Sequence, residues 1–336
     1  HRVAFDTLVV GGGPAGRRAA NDAAAAGRRV ALVSRGQVAG RYAAALGTAL
    51  PDLDQRIKVF ESFEIFGLYR GGALAAGAPR EHDKGATVFN VDRVVLATGR
   101  RSVPPLVPGS HLPGVLDAHA AMVLAHHHGV APGNAVAVLG TGAEERIADR
   151  LRVLGVNVVH SGSVTALRRI NGTSGVESVE LPKTVACDAV VHAGPWRADP
   201  GLQFQASAEG STRLQPGAET DRVVTSGDAS APAEPVIIGE GDLSAALICP
   251  CMDVTAGELL FRIDQGETDP EVLKRLTACG MGPCQGMPCW EVMAALIAKC
   301  TGRSAKAIGR PSHRPPRAAL TVAQAAGLDG LVEPDR

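Results

Sequence analysis

Five of the seven cysteines in this 336-residue chain fall between positions 249 and 289. "CPCMDV" carries Cys249 and Cys251, and "ACGMGPCQGMPC" carries Cys279, Cys284 and Cys289. An odd, clustered set of thiols in a chain this long reads as metal or redox chemistry in a reducing compartment, not as a disulfide framework. The spacing is Cys249-x-Cys251, then 32 residues, then Cys284-x4-Cys289. Four thiolates hold a [2Fe–2S] cluster, and four also make a tetrahedral zinc site. Zinc ribbons use C-x2-C knuckles at both ends, which this chain lacks, so the spacing favours [2Fe–2S], with zinc as the alternative. Cys279 competes by arithmetic, because Cys279-x4-Cys284 repeats the spacing of Cys284-x4-Cys289. Cys187 and Cys300 read as core thiols, the latter on the helical face of Met293, Leu296 and Ile297. His126, His127 and His128 read as a solvated helix end before a Pro-Gly loop.

The elements around the cysteines are helical. "DVTAGELLFRIDQGETDPEVLKRLTACG" reads as two short helices, and "WEVMAALIAKC" starts a third directly after Cys289. That third helix would aim its positive N-terminus at the anionic sulfurs. The tail "RPSHRPPRAAL" is Pro- and Arg-rich and reads as extended before a last short helix.

The chain opens differently. "DTLVVGGGPAGRRAANDAAAAGRRVALVS" is an apolar strand, a glycine turn, an Ala-rich helix and a second apolar strand. Gly11, Gly13 and Gly16, with Pro14 and Ala15 between them, allow the close backbone approach a pyrophosphate requires, and the helix N-terminus offers it free N–H groups. The second strand departs from the pattern. It ends Val33-Ser34-Arg35, where an acidic residue normally holds a ribose hydroxyl. Ser34 is then a weaker ribose contact or Arg35 a phosphate contact. Gly40 and Arg41, in the short loop "VAGRYAAA", join the candidate cofactor set. Two later strand ends carry Ala97-Thr98-Gly99 and Gly227-Asp228, and the latter taken alone reads equally well as a simple turn.

A second strand–glycine–helix unit, "AVAVLGTGAEERIADRLRVLGVNVVHSG", keeps Gly140 and Gly142 but has Glu145 in place of the third glycine. A carboxylate there would crowd and repel a pyrophosphate. Only about 55 residues separate Ala135 from the strand at 189–192, so the unit reads as a truncated remnant that packs but binds no NAD(P)H. The expected division is residues 1–134 for FAD binding, 135–192 for the truncated unit and 193–245 for the return to the FAD domain. A helical [2Fe–2S] domain at 246–305 and a tail at 306–336 complete it.

Composition excludes several classes. Lysine plus arginine and aspartate plus glutamate each total 34, and aromatic residues make up 3%. No basic excess and few stacking rings argue against nucleic acid as a partner. No apolar run approaches the roughly 20 residues needed to span a bilayer. With no secretory leader in sight, the expected setting is cytoplasmic.

Several stretches resemble a known family. "CPCMDVTAGEL…LKRLTACGMGPCQGMPC" resembles the bacterioferritin-associated-ferredoxin-like [2Fe–2S] module, in the form found in α subunits of heteromeric amine and amino-acid dehydrogenases. That family includes proline and hydroxyproline dehydrogenases, octopine and nopaline oxidases, hydrogen cyanide synthase and tetrameric sarcosine oxidase. "VDRVVLATGRRSVPPLVPGSHLPGVLDAHAA", "GVAPGNAVAVLGTG" and "RPSHRPPRAAL" look like the same subunits. The three glycine-bearing segments resemble the FAD contacts of two-dinucleotide-domain flavoproteins, in which the Asp at the position of Asp228 reaches the ribityl chain. The resemblance implies an α/β two-dinucleotide-binding-domain flavoprotein fold, its second unit truncated, with a small helical [2Fe–2S] domain. It selects Cys249, Cys251, Cys284 and Cys289 as metal ligands and puts Cys279 where a non-ligand is usual. It implies an electron-handling subunit whose substrate chemistry, oxidation of a C–N bond, lies on an amino-acid-oxidase-type FAD β subunit. It also leaves room for FMN at the subunit interface and for a small third subunit. Two other readings stay open: an NAD(P)H-dependent reductase serving a ferredoxin-like partner, and a non-catalytic scaffold holding ATP or another adenine nucleotide.

Overall fold

The computed structural model describes residues 1–36, 40–69, 75–80, 85–199, 201–206, 222–311, 316–326 and 328. Two compact units emerge, each assembled from separated stretches of chain. The first joins His1–Arg100, Ala198–Ala231 and Ser312–Arg336, and the second joins Arg101–Arg197 and Pro232–Pro311.

The first unit is built on β1 (Arg2–Val10), α1 (Pro14–Ala25), β2 (Val30–Val33), α2 (Arg41–Ala45), β3 (Lys58–Phe60), β4 (Phe63–Leu68), β5 (Ala75–Pro79) and β6 (Thr87–Leu96). Its sheet runs β3-β2-β1-β6-β5-β4. The first four strands are parallel, and β5 and β4 extend the sheet antiparallel. Continuous apolar runs such as "TLVV" and "VALV" suit strands covered on both faces, and Leu8, Val9, Val30, Ala31 and Leu32 are all buried. One face packs on α1 through Ala20 and Ala24, four residues apart on the same stripe. The other holds Phe60, Phe63 and Phe89 in edge-to-face contact at 5.2–5.7 Å. Strand β6 is shared along its length: Thr87–Phe89 pair with β5, and Val94–Leu96 pair with the returning strand Val223–Thr225.

The second unit contains a four-stranded parallel sheet. Its order is Val158–Ser163, Val136–Gly140, Ala189–Ala193 and Val115–Asp117. The helix Ala118–His128 starts at Asp117, whose carboxylate accepts the Ala120 N–H at 2.8 Å. It ends with exposed His126, His127 and His128 before left-handed Gly129. The helix Glu144–Val153 follows the glycine turn of the second strand–helix unit. A three-stranded antiparallel meander (Arg169–Asn171, Ser178–Glu180, Thr184–Ala186) completes this part.

The same unit carries the cysteine region. A short antiparallel pair, Leu247–Cys249 with Val254–Thr255, leads into helices Ala256–Asp264, Pro270–Thr277 and Cys289–Thr301. Thr255 and Glu258 form a reciprocal capping box at the first of these. Ile248, Leu259, Leu273, Met293, Leu296 and Ile297 form the core, together with Cys249, Cys279 and Cys289. Cys187 is buried, as expected, and burial pushes its thiol up to about 11. Cys300 is a correction: it is exposed, because the last turn of its helix runs past the end of the core that Met293, Leu296 and Ile297 fill.

Candidate functional site

The cysteine centre is assembled from three chain segments. Cys249 ends its strand, Cys279 follows helix Pro270–Thr277, and Cys289 is the first residue of helix Cys289–Thr301. The three are fully buried, and their sulfurs lie within 4.8 Å of one another. Cys284, half-buried, hydrogen-bonds Cys289 and Cys251, and Cys251 is exposed. All four sequence-selected ligands are thus in one chain of sulfur contacts, and Cys279 stands in its buried part.

Backbone donors surround these sulfurs. The Gly280 N–H donates to the Cys249 sulfur at 3.4 Å, with the Met252 N–H on the same atom. The Gly286 and Met287 N–H groups face Cys284, and the Cys284 N–H faces Cys251. Thiol donation from Cys279 and Cys289 holds Cys249 down to about 2 against the opposing effect of burial. Donating to Cys249 pushes Cys279 up to about 12. Donation from Cys289 lowers Cys284 to about 6, and Cys289 is raised in return. Burial raises Cys251. An all-sulfur donor set ringed by amides fits an anionic metal–thiolate group, and iron–sulfur clusters and tetrahedral zinc both draw on such a set. The glycines have a packing role too: a Cβ on Gly280 would meet the Trp290 ring at 1.8 Å.

The candidate nucleotide cradle lies at the N-terminus of α1. Gly11 has φ +118°, and a Cβ there would fall 2.1 Å from the Ala97 carbonyl oxygen. A Cβ on Gly227 would fall 2.4 Å from that of Ala15, and the Ser226 N–H bonds the Leu96 carbonyl. The segments of Gly11–Gly16, Ala97–Gly99 and Gly227–Asp228 therefore meet around the start of α1. Pro14 occupies its first turn, no side chain caps it at Gly13, and space beside Gly13 and Gly99 is open. The Thr98 hydroxyl is buried with no hydrogen-bond partner among the described residues. Gly40 abuts Gly12: its Cβ would lie 2.9 Å from the Gly12 oxygen, which puts Gly40 and Arg41, at the start of α2, beside the turn. An uncapped helix start with free space and an orphaned hydroxyl fits a dinucleotide phosphate. Asp228 is exposed, 3.7 Å from Arg100. Ser34 is buried, its backbone bonded to Phe60 and Phe63, and Arg35 pairs with Glu64 at 3.3 Å.

The second glycine turn is plugged from within. The Gly142 N–H donates to the Glu144 carboxylate at 2.6 Å, so a protein carboxylate sits where a phosphate would. The sequence pattern pointed to Glu145 as the obstruction. That side chain instead accepts from the Ser161 hydroxyl at 2.9 Å, because the first helical turn points Glu144, not Glu145, back at the loop. Sequence reasoning also missed His192 and His119. They lie near the carboxyl ends of parallel strands, where ligands of such sheets gather, and a histidine ending the apolar run "AVVHAG" was the available signal. Burial pushes both down to about 4, opposed by Asp117 and, for His119, helped by Arg101.

Residues 5–144 match the Pyridine nucleotide-disulphide oxidoreductase family, and residues 245–328 match the Sarcosine oxidase A3 domain. The fold is that of an α/β dinucleotide-binding flavoprotein joined to a helical cysteine domain. Among solved structures, L-proline dehydrogenase from P. horikoshii shares this fold with a TM-score of 0.76 at 22% identity, over 96% of this chain and 79% of that one. The alpha subunit of sarcosine oxidase from Rhizobium meliloti is 26% identical over 92% of this chain and 41% of that protein. An opine oxidase subunit from Agrobacterium tumefaciens is 32% identical over 41% of this chain and 32% of that protein. The chain is similar to the alpha subunit of sarcosine oxidase and to opine oxidase subunits A. It spans less than half the length of the curated relatives it matches. Among the described residues no helix is long and apolar enough to cross a membrane.

Proposed function

We propose that this chain is an electron-transfer subunit of a heteromeric flavin-dependent dehydrogenase or oxidase that oxidises a C–N bond of an amino acid, N-alkyl amino acid or opine. The observation that carries the proposal is the sulfur centre: five cysteines drawn together, three fully buried, amid backbone N–H donors. Cys249, Cys251, Cys284 and Cys289 would hold a [2Fe–2S] cluster, with Cys279 against them. When bound, that cluster supplies one-electron storage between a partner's substrate flavin and an acceptor. Gly11, Gly13, Gly16, Ala97–Gly99 and Gly227–Asp228 would hold this chain's FAD at the start of α1. The amides at Gly280, Gly286 and Met287 stabilise negative charge on the sulfurs. The shared core of Ile248, Leu259 and Met293 keeps water from the inner ones. The partner of the proposal is an amino-acid-oxidase-type β subunit carrying the substrate flavin. The Glu144 carboxylate in the second glycine turn weighs against an NAD(P)H-dependent reductase.

The test is metal and flavin analysis of the purified complex, followed by electron paramagnetic resonance after dithionite reduction. Two irons per chain and a rhombic reduced signal are expected, with FAD in proportion to this chain. Zinc without iron, and no flavin on this chain, overturns the relay and leaves a structural role. An adenine nucleotide in place of FAD overturns the flavin assignment alone.

A further inference from the structure

Residues 316–326 and 328 form a strap across the first unit, far in sequence from the strands they cover. Ala318, Leu320 and Leu328 pack against the cluster of Phe66, Ala76 and Val88. The Gln324 amide donates to the Pro79 carbonyl at 3.0 Å, and Gln324 and Thr321 cap each other. The Arg317 N–H bonds the Phe66 carbonyl at 2.8 Å. Its guanidinium donates to one oxygen of Asp199 and lies against Gly201, whose Cβ would fall 3.3 Å from it. The other Asp199 oxygen accepts the Gly201 N–H at 3.1 Å. The strap therefore holds the start of helix Gly201–Ala206.

That helix is six residues long, too short to sustain itself in water. Two amide side chains tie it to the rest of the unit. The Gln205 oxygen accepts the Leu68 N–H at 3.1 Å. Gln203 donates to the Ala229 carbonyl at 2.7 Å. Ala229 is buried in the turn Gly227–Ser230, and that turn meets α1 at Ala15. A continuous run of bonds thus leads from the strap, through Asp199 and the short helix, to the turn beside the start of α1. An undocked strap would leave the Asp199 carboxylate without its guanidinium, and the helix start would shift toward water. The Gln203 bond, and with it the turn, would loosen. By reciprocity, a ligand that fixes the turn holds the strap down by the same factor.

We propose that Gln203 is a positioning residue of the nucleotide site, through which docking of the C-terminal strap and occupancy of that site favour each other. This rests on the FAD reading of the first unit above. The test uses the full chain in its complex, as wild type, Gln203→Leu and Gln203→Glu. Leucine keeps the bulk of the side chain and glutamate its shape, and at neutral pH neither donates to Ala229. Each sample is stripped of flavin and titrated with FAD. Hydrogen exchange is then read at the Arg317, Gln324 and Ala325 amides, with and without saturating FAD.

In wild type, FAD should slow exchange of the three strap amides about tenfold. In both variants that slowing should vanish, and the FAD dissociation constant should rise by about the same factor. A residue that served packing alone would change exchange equally with and without FAD. Strap exchange indifferent to FAD in wild type overturns the proposal. So does slowing by FAD that persists in both variants, which would route the coupling elsewhere. A wild-type complex that binds no FAD removes the flavin reading itself, a failure distinct from the other two.

Discussion

His192 is a neutral imidazole held inside a parallel sheet, and His119 lies nearby under Trp196 at a ring distance of 6.0 Å. Both have folded-state pKa values near 4, against 6.5 for an unperturbed imidazole. The unfolded chain therefore binds more protons between those limits. Their stabilising contribution is fully present above about pH 6.5 and is lost as pH falls toward 4. The loss is about 1.4 kcal/mol per pH unit for each histidine. Denaturant unfolding at pH 7, 6 and 5 should show midpoints falling with acidity, and His192→Gln should flatten that dependence by about one proton. An equal slope in the variant would mean that His192 does not carry the effect. Side-chain direction is where the sequence was least readable. Glu144 and Glu145 are adjacent and identical, and spacing cannot tell which one the helix start turns onto Gly142. Cys300 shows the same limit: helical spacing put it on the core face but could not show that the core had ended.

Helix starts and turns carry most of the positioning. The strand–glycine–helix pattern was legible because each of its parts has a physical signature. Apolar runs mark buried parallel strands, Pro14 marks a first helical turn, and Gly11 marks a conformation side chains avoid. Replacing Gly11 by Ala puts a Cβ into the Ala97 carbonyl at φ +118°. The expected cost is at least about 1–3 kcal/mol, with loss of bound nucleotide from the first unit. Retention of both nucleotide and stability in Gly11→Ala would show that this turn relaxes elsewhere. The capping box offers a milder change remote from the sulfurs. Thr255→Ala removes the acceptor of the Glu258 N–H and should cost about 1 kcal/mol in chemical denaturation. Iron content should not change, since Thr255 touches none of the cysteines by hydrogen bond. A drop in iron would show that this helix start also sets the ligand geometry. The antiparallel β4–β5 extension was not legible, because "FEIFGL" and "AAGAP" lack the alternation of a one-sided strand.

At the scale of the molecule, the units are closed by segments far apart in sequence, which local patterning does not reveal. The Pro- and Arg-rich stretch read as an extended tail. Within it Arg317 is buried in the first unit, donating to Asp199 at 2.5 Å, and its own N–H bonds the Phe66 carbonyl. Burial alone would raise the Asp199 carboxyl, but the Arg317 guanidinium outweighs it and holds the group below the usual range. Arg317→Leu leaves that largely enclosed carboxylate with the Gly201 N–H but without its guanidinium partner, and should destabilise the first unit by about 3–5 kcal/mol. Adding Asp199→Asn should recover part of the loss. If Arg317→Leu unfolds like wild type, the pair contributes nothing net.

The division of β6 between two neighbours has a consequence for synthesis. The chain leaves the ribosome in order, and Leu96 precedes its partner strand at Val223 by 127 residues. At roughly 5–20 residues per second, that interval is about 6–25 seconds. Throughout it the inner half of β6 carries an open, apolar, parallel hydrogen-bonding edge, the kind of edge that recruits other chains. A nascent copy is therefore most prone to joining its neighbours on the same message while the second unit is still being made. Slowing elongation across residues 100–220 should lengthen that exposure and lower soluble yield without altering a single contact of the finished protein.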